Sequence, residues 1–208
     1  MNEKILVIGA GGLAKELLFA FPELEDRFIF YDDVSDKKRL FNHFQILKSE
    51  AEVKEHFPEG FAFTIAVGGP KNRAFIYEKF SNLGGKPLTL ISKNATIGNW
   101  DTSIGEGCLV LGGVMITNSA KIGKGSLINK AVMISHDSQV GEFCDIAPGV
   151  RTGKVDIGNS VTIGINATII PGTSIGNNVV LGAGTVVIRD VPDNCTVVGN
   201  PGVIKKQK

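Results

Sequence analysis

The feature of this chain that most constrains its fold is a period of six residues among the aliphatic positions of its second half. From Ile104 to Ile146 an aliphatic residue occupies every sixth position, and after a slip of one residue the series resumes from Ile157 to Val187. An α-helix has a period of 3.6 and an alternating strand a period of 2, so neither explains this spacing. A period of six predicts short strands joined by tight turns into triangular coils of about 18 residues, stacked on one another.

Glycine usage supports this prediction. The chain has 26 Gly in 208 residues, well above the average usage of about 7%. Many follow the repeated aliphatic residue directly, as in Ile104-Gly105 and Ile122-Gly123, where a corner can require a positive φ. One repeat cannot bury its apolar face, but a stack of repeats can. We therefore expect a parallel β-helix over residues 92–208 instead of a β-sandwich, which would not keep the strict spacing.

The first 91 residues have a different pattern, in which short apolar runs alternate with helical segments. Alternating strands and helices indicate a small parallel α/β sheet with right-handed crossovers. We call residues 1–91 the front domain. Within it we predict a helix after Gly12, helices over 50–57 and 70–83, and strands over 4–8, 28–31, 45–48, 61–67 and 87–91.

Composition excludes several classes of partner. The formal charge is +1, which gives no field for nucleic acid or an anionic membrane. The sequence has no run near the roughly 18 apolar residues of a membrane span and no signal-peptide pattern at its start, so we expect a cytoplasmic protein without membrane insertion. The three cysteines show no CxxC spacing, which favours reduced, packed thiols.

A glycine turn follows the first predicted strand. Gly9, Gly11 and Gly12 match the start of a phosphate loop, in which backbone amides approach an anion at a helix N-terminus. Asp32 lies 23 residues after Gly9, near the usual place of a ribose-binding acid, and Asp33 is next to it. A dinucleotide site would need a second half-domain, so this Rossmann-like half-domain fits a nucleotide or nucleotide-sugar better. Alternatively, the glycines only make a tight turn.

A second glycine-containing turn ends the predicted strand over 61–67. In an open α/β sheet, such strand ends face the ligand crevice. Gly68 is therefore expected at the crevice. Asn72 and Arg73 either contact a phosphate or sugar there or are solvated on the following helix.

His136 is the only histidine of the repeat region. It follows the inward-pointing Ile134 by two positions, which places it near a corner of the coil, where a solvent-reachable imidazole can take a proton at neutral pH. Asp137 could hold the ring, provided that the backbone bends between them. The alternative is a structural surface histidine. A zinc site built from three imidazoles, as in β-helical carbonic anhydrases, cannot be supplied by this region, and we predict no metal.

Taken together, these motifs resemble those of bacterial hexapeptide-repeat sugar acetyltransferases, which include sialic-acid O-acetyltransferases and UDP-amino-sugar N-acetyltransferases. The resemblance covers nearly the whole chain and is carried by the six-residue repeats and by the segments Gly9-Ala10-Gly11-Gly12, Tyr31-Asp32-Asp33, Ala66-Val67-Gly68, Ser135-His136-Asp137, Gly153 and Val198-Gly199-Asn200-Pro201.

The resemblance implies a left-handed β-helix, a homotrimer with active sites between neighbours, and acetyl-CoA as co-substrate. It implies His136 as general base, Asp137 behind it, and the Gly153 amide as oxyanion donor. Several amino-sugar members carry a substrate-binding histidine where this chain has Leu13. Coenzyme A is expected at Asp145, Gly153, Ile165, Gly182 and Ala183, and the terminal lysines Lys205, Lys206 and Lys208 either meet its phosphates or form a solvated tail.

The sequence thus predicts acetyl transfer from acetyl-CoA to the amine or hydroxyl of a nucleotide-linked sugar, in glycan or surface polysaccharide biosynthesis. Direct transfer is favoured over an acyl-enzyme, although Cys144 lies eight positions after His136. Two alternatives stay open. One is an O-acetyltransferase acting on a sialic-acid-type sugar, and the other is a non-catalytic β-helix scaffold whose front domain senses a nucleotide. A nicotinamide-dependent sugar oxidoreductase is disfavoured, because the second half-domain is missing.

Overall fold

The front domain is a six-stranded α/β sheet. A computed structural model describes residues 4–207, with side chains through Lys205. The helices are α1 (Gly12–Ala20), α2 (Glu50–His56) and α3 (Pro70–Asn82), and a 3₁₀ helix spans Pro22–Arg27. The strands are β1 (Ile5–Ile8), β2 (Phe28–Tyr31), β3 (Arg39–Leu40), β4 (Phe44–Leu47), β5 (Phe61–Ile65) and β6 (Gly85–Pro87).

The order of this sheet places a crevice at the end of β1. The strands follow the order β3-β4-β2-β1-β5-β6, and all neighbours are parallel except β3 and β4. The chain moves from β1 to one side through β2 and then crosses to the other side at β5. The carboxyl ends of β1 and β5 therefore form a topological switch point, where α/β sheets bind their ligands.

The rest of the chain is a left-handed parallel β-helix. Its three faces are those that the period of six predicts, and its handedness is the one that the resemblance implies. Face 1 contains β7 (Leu90–Ile91), β10 (Leu109–Val110), β13 (Leu127–Ile128), β16 (Asp145–Ile146), β19 (Thr162–Ile163), β22 (Val180–Leu181), β24 (Cys195–Val198) and β25 (Val203–Gln207). Face 2 contains β8 (Thr96–Ile97), β11 (Met115–Ile116), β14 (Met133–Ile134), β17 (Arg151–Thr152), β20 (Thr168–Ile169) and β23 (Val186–Val187). Face 3 contains β9 (Ser103–Ile104), β12 (Lys121–Ile122), β15 (Gln139–Val140), β18 (Val155–Ile157) and β21 (Thr173–Ile175).

The repeated aliphatic residues point into this prism and form its core. All of them from Val110 onward are buried, and Ile104 packs against the same core from the first coil. Equivalent residues stack in register, as Ile116 on Ile134. Burial of this apolar surface, at about 25 cal/mol per Å², stabilises the stack of coils. We refer to the edges of the prism as corners 1–2, 2–3 and 3–1, after the faces that they join.

The front domain packs on the outer side of face 1. Leu90, Leu109 and Leu127 stack there in register and share a buried cluster with Leu17 and Phe21 of the front domain. The predicted strand over 87–91 is therefore wrong as a single element. Residues 85–87 pair in the front sheet, whereas 90–91 already pair with β10 in the first coil. No helix within residues 4–207 is long and apolar enough to cross a membrane.

Candidate active site

A histidine and an aspartate meet at corner 2–3. His136 follows β14, and its Nδ1 lies 2.8 Å from Asp137 Oδ2. The bend that this contact requires is provided by Asp137 itself, whose φ is 57°, in the left-handed region. The imidazole is 69% exposed in the protomer, so it can reach a substrate but is not enclosed by its own chain.

The electrostatics of this pair orient the ring. The pKa of Asp137 lies below its usual value, because the carboxylate bonds to the His136 ring and also faces the charge of Lys154. An ionised Asp137 accepts a hydrogen bond from Nδ1–H, and this assigns the tautomer in which Nε2 carries the lone pair. Nε2 is then the atom available to accept a proton.

The slip of one residue in the repeat lies directly next to this pair. Ile134 pairs with Thr152, 18 residues later, but Val140 pairs with Ile157, only 17 residues later. The missing residue therefore falls in the corner that contains Gly153 and Lys154. His136 and Asp137 in one coil are opposed by Lys154 alone in the next.

Gly153 lies at this shortened corner, and its polar groups are used within the stack. Its N–H donates to the Ile169 carbonyl at 3.0 Å, and its carbonyl accepts from Ser138 Oγ at 3.1 Å. A Cβ at this position would lie 2.4 Å from Pro171 Cγ, so glycine is required by close packing. The oxyanion role of Gly153 stays a prediction, because the N–H would have to be shared with a thioester carbonyl.

The residues expected to bind the cofactor are divided between two places. Ile165, Gly182 and Ala183 lie at corner 1–2, which is the other edge of face 2, and Ile165 is 52% exposed. Asp145 is not with them. Its carboxylate accepts the Gly69 N–H at 2.6 Å, so its expected place at the cofactor wall is corrected to a place between the β-helix and the front domain. Lys205 is exposed, whereas Lys208 and the side chain of Lys206 lie outside the described residues.

The front domain contains a cavity of about 540 Å³ at the switch point of its sheet, within the size range of small-molecule sites. Its walls come from the carboxyl ends of β1, β2 and β5 and from one side of α3. Eight of the residues predicted from the sequence to bind substrate line it: Gly9, Gly11, Gly12, Leu13, Asp32, Asp33, Gly68 and Asn72.

The three glycines of the first turn have different roles. Gly9 has φ 106°, and a Cβ there would lie 2.7 Å from the Ala66 carbonyl oxygen. Its N–H donates to the Tyr31 carbonyl at 2.7 Å, so Gly9 makes the tight turn and does not offer its amide. Gly11 and Gly12 border open space at the N-terminus of α1, which has no side-chain cap. Amides in that position favour a phosphate.

The two acids of the cavity also differ. Asp32 accepts hydrogen bonds from the Val34 and Ser35 amides and the Ser35 hydroxyl. Partial burial alone would raise the pKa of Asp32, but these hydrogen bonds hold it below its usual value. Asp33 accepts from Tyr31 Oη at 2.8 Å and lies 3.8 Å from Lys79 Nζ. Asp32 therefore fixes its own loop, which leaves Asp33 as the acid more available to a ligand.

Arg73 does not line the cavity. Its side chain is fully buried between the end of β5 and the β-helix. Nη1 donates to the carbonyls of Ile65 and Val67 at 3.0 and 2.9 Å, and Nε donates to the Gly125 carbonyl at 2.7 Å. Both expectations for Arg73, as a ligand contact and as a solvated helix residue, are wrong. β5 ends at Ile65, two residues before the end of the strand predicted over 61–67.

The α3 side of the cavity was not predicted from the sequence. Ile76, Lys79 and Phe80 line it together with Asn72. Lys79 lies 3.0 Å from Glu50, so its charge is paired. The spacing of Asn72, Ile76 and Lys79 is that of one helix face, and this was the signal by which they could have been found.

The thiols lie in the prism. Cys108 and Cys144 are fully buried, and burial raises their pKa to about 11 and about 12. Cys144 Sγ donates to the Gly158 carbonyl at 3.2 Å. A thiol held in this way is protonated and inaccessible, which argues against an acyl-enzyme on Cys144. Within the described part of the chain, no three His, Cys, Asp or Glu side chains gather as metal ligands.

Two family models match this chain, one in the front domain and one in the β-helix. Residues 4–80 match the family of the PglD N-terminal domain, and residues 154–189 match the bacterial transferase hexapeptide repeats. A serine acetyltransferase of Synechococcus elongatus is 44% identical over 70 residues, which is 29% of this chain and 29% of that protein. The chain spans about a third or less of the length of the curated relatives it matches.

The solved structures that match nearly the whole chain include a sugar N-acetyltransferase and an acetyltransferase domain. Perosamine N-acetyltransferase from Caulobacter crescentus, in complex with CoA and GDP-perosamine, is 25% identical, with a TM-score of 0.91 over 99% of this chain and 98% of that one. The acetyltransferase domain of PglB from Neisseria gonorrhoeae, in complex with acetyl coenzyme A, is 32% identical, with a TM-score of 0.89 over 98% of this chain and 100% of that one. Because the PglB acetyltransferase domain is matched over its full length at 32% identity, in the front domain and in the β-helix alike, this chain belongs to the bacterial hexapeptide-repeat acetyltransferases.

Proposed function

We propose that this protein transfers the acetyl group of acetyl-CoA to the amine of a nucleotide-linked sugar. The observation that carries the proposal is the His136–Asp137 pair, joined at 2.8 Å on a corner of the β-helix. The cavity of the front domain binds the nucleotide part of this sugar. The product serves glycan or surface polysaccharide biosynthesis.

The reaction follows from the orientation of the ring. His136 Nε2 takes a proton from the acceptor amine while the nitrogen attacks the thioester carbonyl carbon. The tetrahedral oxyanion then collapses, the C–S bond breaks, and the His136 imidazolium gives its proton to the leaving coenzyme A thiolate, which regenerates the base. Asp137 balances the charge of the imidazolium during transfer. Gly153 is the candidate oxyanion donor.

A nucleotide fits the front cavity better than a dinucleotide. The open amides at Gly11 and Gly12 suit a phosphate, and Asp33 can accept hydrogen bonds from a ribose or base. A cavity of about 540 Å³ formed by one half-domain has room for one nucleotide. N-acetylation is favoured over O-acetylation, because perosamine N-acetyltransferase is similar over 99% of this chain.

Face 2 supports a homotrimer. Met115 and Met133 stack on its outer side in register, 41% and 37% exposed. His136 lies at one edge of this face and Ile165 at the other. If three copies turn face 2 toward a threefold axis, the His136 edge of one copy meets the Ile165 edge of its neighbour. That arrangement would enclose the exposed imidazole and place the cofactor wall opposite it. The cytoplasmic location stays a prediction.

A scaffold that only senses a nucleotide is the second candidate, since the cavity would serve it equally. The experiment that tests the proposal measures acetyl-CoA consumption with a panel of nucleotide-linked amino sugars and their hydroxyl counterparts. We expect consumption with at least one amino sugar and faster turnover than with its hydroxyl counterpart. Consumption with hydroxyl sugars alone would support O-acetylation, and none with any acceptor would support the scaffold.

We expect Leu13→His to shift the choice of acceptor without changing the acetyl-CoA KM. Leu13 lines the cavity at the position where the family resemblance implies a polar substrate contact, and an apolar side chain favours deoxy or methyl-bearing sugars by about 0.8 kcal/mol per buried CH₂. Leu13→Met is the control and should keep the preference.

Calorimetry should also show UDP or a related nucleotide binding more tightly than NAD. Tight NAD binding without nucleotide binding would contradict the proposal.

We expect Cys144→Ala to keep kcat within about twofold, because direct transfer needs no thiol. The small cavity left in the core should cost about 1 kcal/mol of stability. Cys108→Ala, a buried thiol on the same ladder, is the matched control. Loss of turnover only in Cys144→Ala, together with an acetylated Cys144 in the mass spectrum of the wild-type protein, would establish an acyl-enzyme instead.

A further inference from the structure

Asp145 interrupts an apolar ladder on face 1. Leu90, Leu109 and Leu127 stack in register on its outer side beneath the front domain, and Asp145 takes the next place. Another leucine would extend the packing. A half-buried carboxylate instead loses hydration, which must be offset by hydrogen bonds or an opposite charge.

The two compensations come from the loop that follows β5 and from the first turn of α3. The Gly69 N–H donates to Asp145 Oδ2 at 2.6 Å, a short, charge-assisted hydrogen bond. The buried Arg73 guanidinium provides the opposite charge. Burial lowers the pKa of Arg73 to about 10, and the Asp145 charge opposes that shift, so the guanidinium stays charged at neutral pH.

The loop is therefore held at two points that are two residues apart. Arg73 Nη1 binds the Val67 carbonyl at 2.9 Å, and Asp145 binds the Gly69 amide two residues later. Between them lies Gly68, which lines the nucleotide cavity and whose carbonyl accepts from Asn72 Nδ2 at 3.3 Å. Any movement of the Gly69 amide would move a wall of the cavity.

From this geometry we propose that Asp145 is a positioning residue for the acceptor. From its place on the β-helix, Asp145 fixes the position of Gly68, which forms part of the wall of the nucleotide cavity. The role rests on the proposed function, since it requires that the cavity binds the nucleotide of the sugar. Asp145 does not contact the reacting atoms. Its effect is therefore confined to acceptor binding and does not extend to acetyl-CoA.

The contact between Gly68 and Asp145 offers a sharp test. A Cβ on Gly68 would lie 3.0 Å from Asp145 Oδ2, closer than a normal contact. Apart from Gly68 and its two chain neighbours, no other residue of the described protein has an atom within 4 Å of it. In Gly68→Ala the new methyl should push against the carboxylate and disturb the loop. With Asp145→Ala the carboxylate is absent, so the same methyl has nothing to push against.

The experiment is a double-mutant cycle read by calorimetry with UDP or GDP, whichever the wild-type protein binds more tightly, and by the KM values of acceptor and acetyl-CoA. We expect Asp145→Ala to weaken nucleotide binding and raise the acceptor KM roughly 10-fold, the scale of a hydrogen bond to a charged group. The acetyl-CoA KM and the kcat at saturating acceptor should stay unchanged. Gly68→Ala should weaken binding in the wild-type background and have little further effect in Asp145→Ala.

Two further variants keep the test decisive. Asp156→Ala, on the outer side of face 3, is the matched control and should leave all constants unchanged. If Asp145→Ala does not fold, Asp145→Asn keeps the shape and one acceptor oxygen and should show a smaller loss in the same direction. Equal effects on both substrates, unchanged nucleotide binding, or additive effects in the cycle would overturn the positioning role. Failure of the wild-type protein to bind either nucleotide would instead overturn the proposed function of the cavity, and this role with it.

Discussion

His136→Ala should reduce turnover by about 10² or more, the contribution expected of a general base, while leaving assembly and coenzyme A affinity intact. The imidazole lies on an exposed corner and supports no core contact, so its removal should not lower stability. Steady-state kinetics with saturating acceptor and acetyl-CoA measure the loss, and sedimentation and calorimetry measure the retained properties.

Asp137→Asn should cost less than His136→Ala, because the amide can still occupy the place beside Nδ1 but no longer supports the imidazolium. His43→Ala, an exposed histidine of the front domain, is the control and should be fully active. Near-normal turnover of His136→Ala with saturating acceptor would show that the base assignment is wrong.

Met133→Asp should break the assembly and abolish activity with it. Met133 lies in the middle of face 2, and a threefold arrangement would bury three new carboxylates near one another. An unpaired buried charge costs several kcal/mol, and each 1.4 kcal/mol is a factor of ten, so trimer dissociation should rise at least about 100-fold. Analytical ultracentrifugation and the acetyl-CoA consumption assay measure the two effects together.

The same charge elsewhere on the same coil provides the control. Gln139→Asp places a carboxylate on the outer side of face 3, where the neighbouring side chains are polar, and should leave trimer and activity unchanged. A wild-type protein that sediments as a fully active monomer would contradict the trimer, and so would a Met133→Asp protein that remains trimeric.

The repeat region was predictable because its physics is local and periodic. An inward residue every sixth position can serve only a stack of coils, so the positions of the strands follow from the sequence. The place of the slip did not follow, because Thr152 occupies an inward position that the series assigns to an aliphatic residue. Only the strand register shows that the shortened corner faces His136.

The cavity of the front domain was predictable at its glycine turns and strand ends, since a parallel sheet brings carboxyl ends together. The contacts of Arg73 and Asp145 were not predictable from the sequence. Their partners, Gly125 and Gly69, lie 52 and 76 residues away in the chain, and no local pattern encodes such contacts. The buried guanidinium is recognisable only after the two domains are packed.

Acetyl-CoA and a nucleotide-linked amino sugar are expected to react with each other on this protein. The most direct test incubates the purified protein with both substrates, and quantifies free coenzyme A by its thiol and the sugar product by mass spectrometry. We expect one coenzyme A released for each sugar that gains one acetyl group, and no release above background when the acceptor is left out. Coenzyme A released equally without acceptor, or no acetylated sugar from any acceptor that the protein binds, would contradict it.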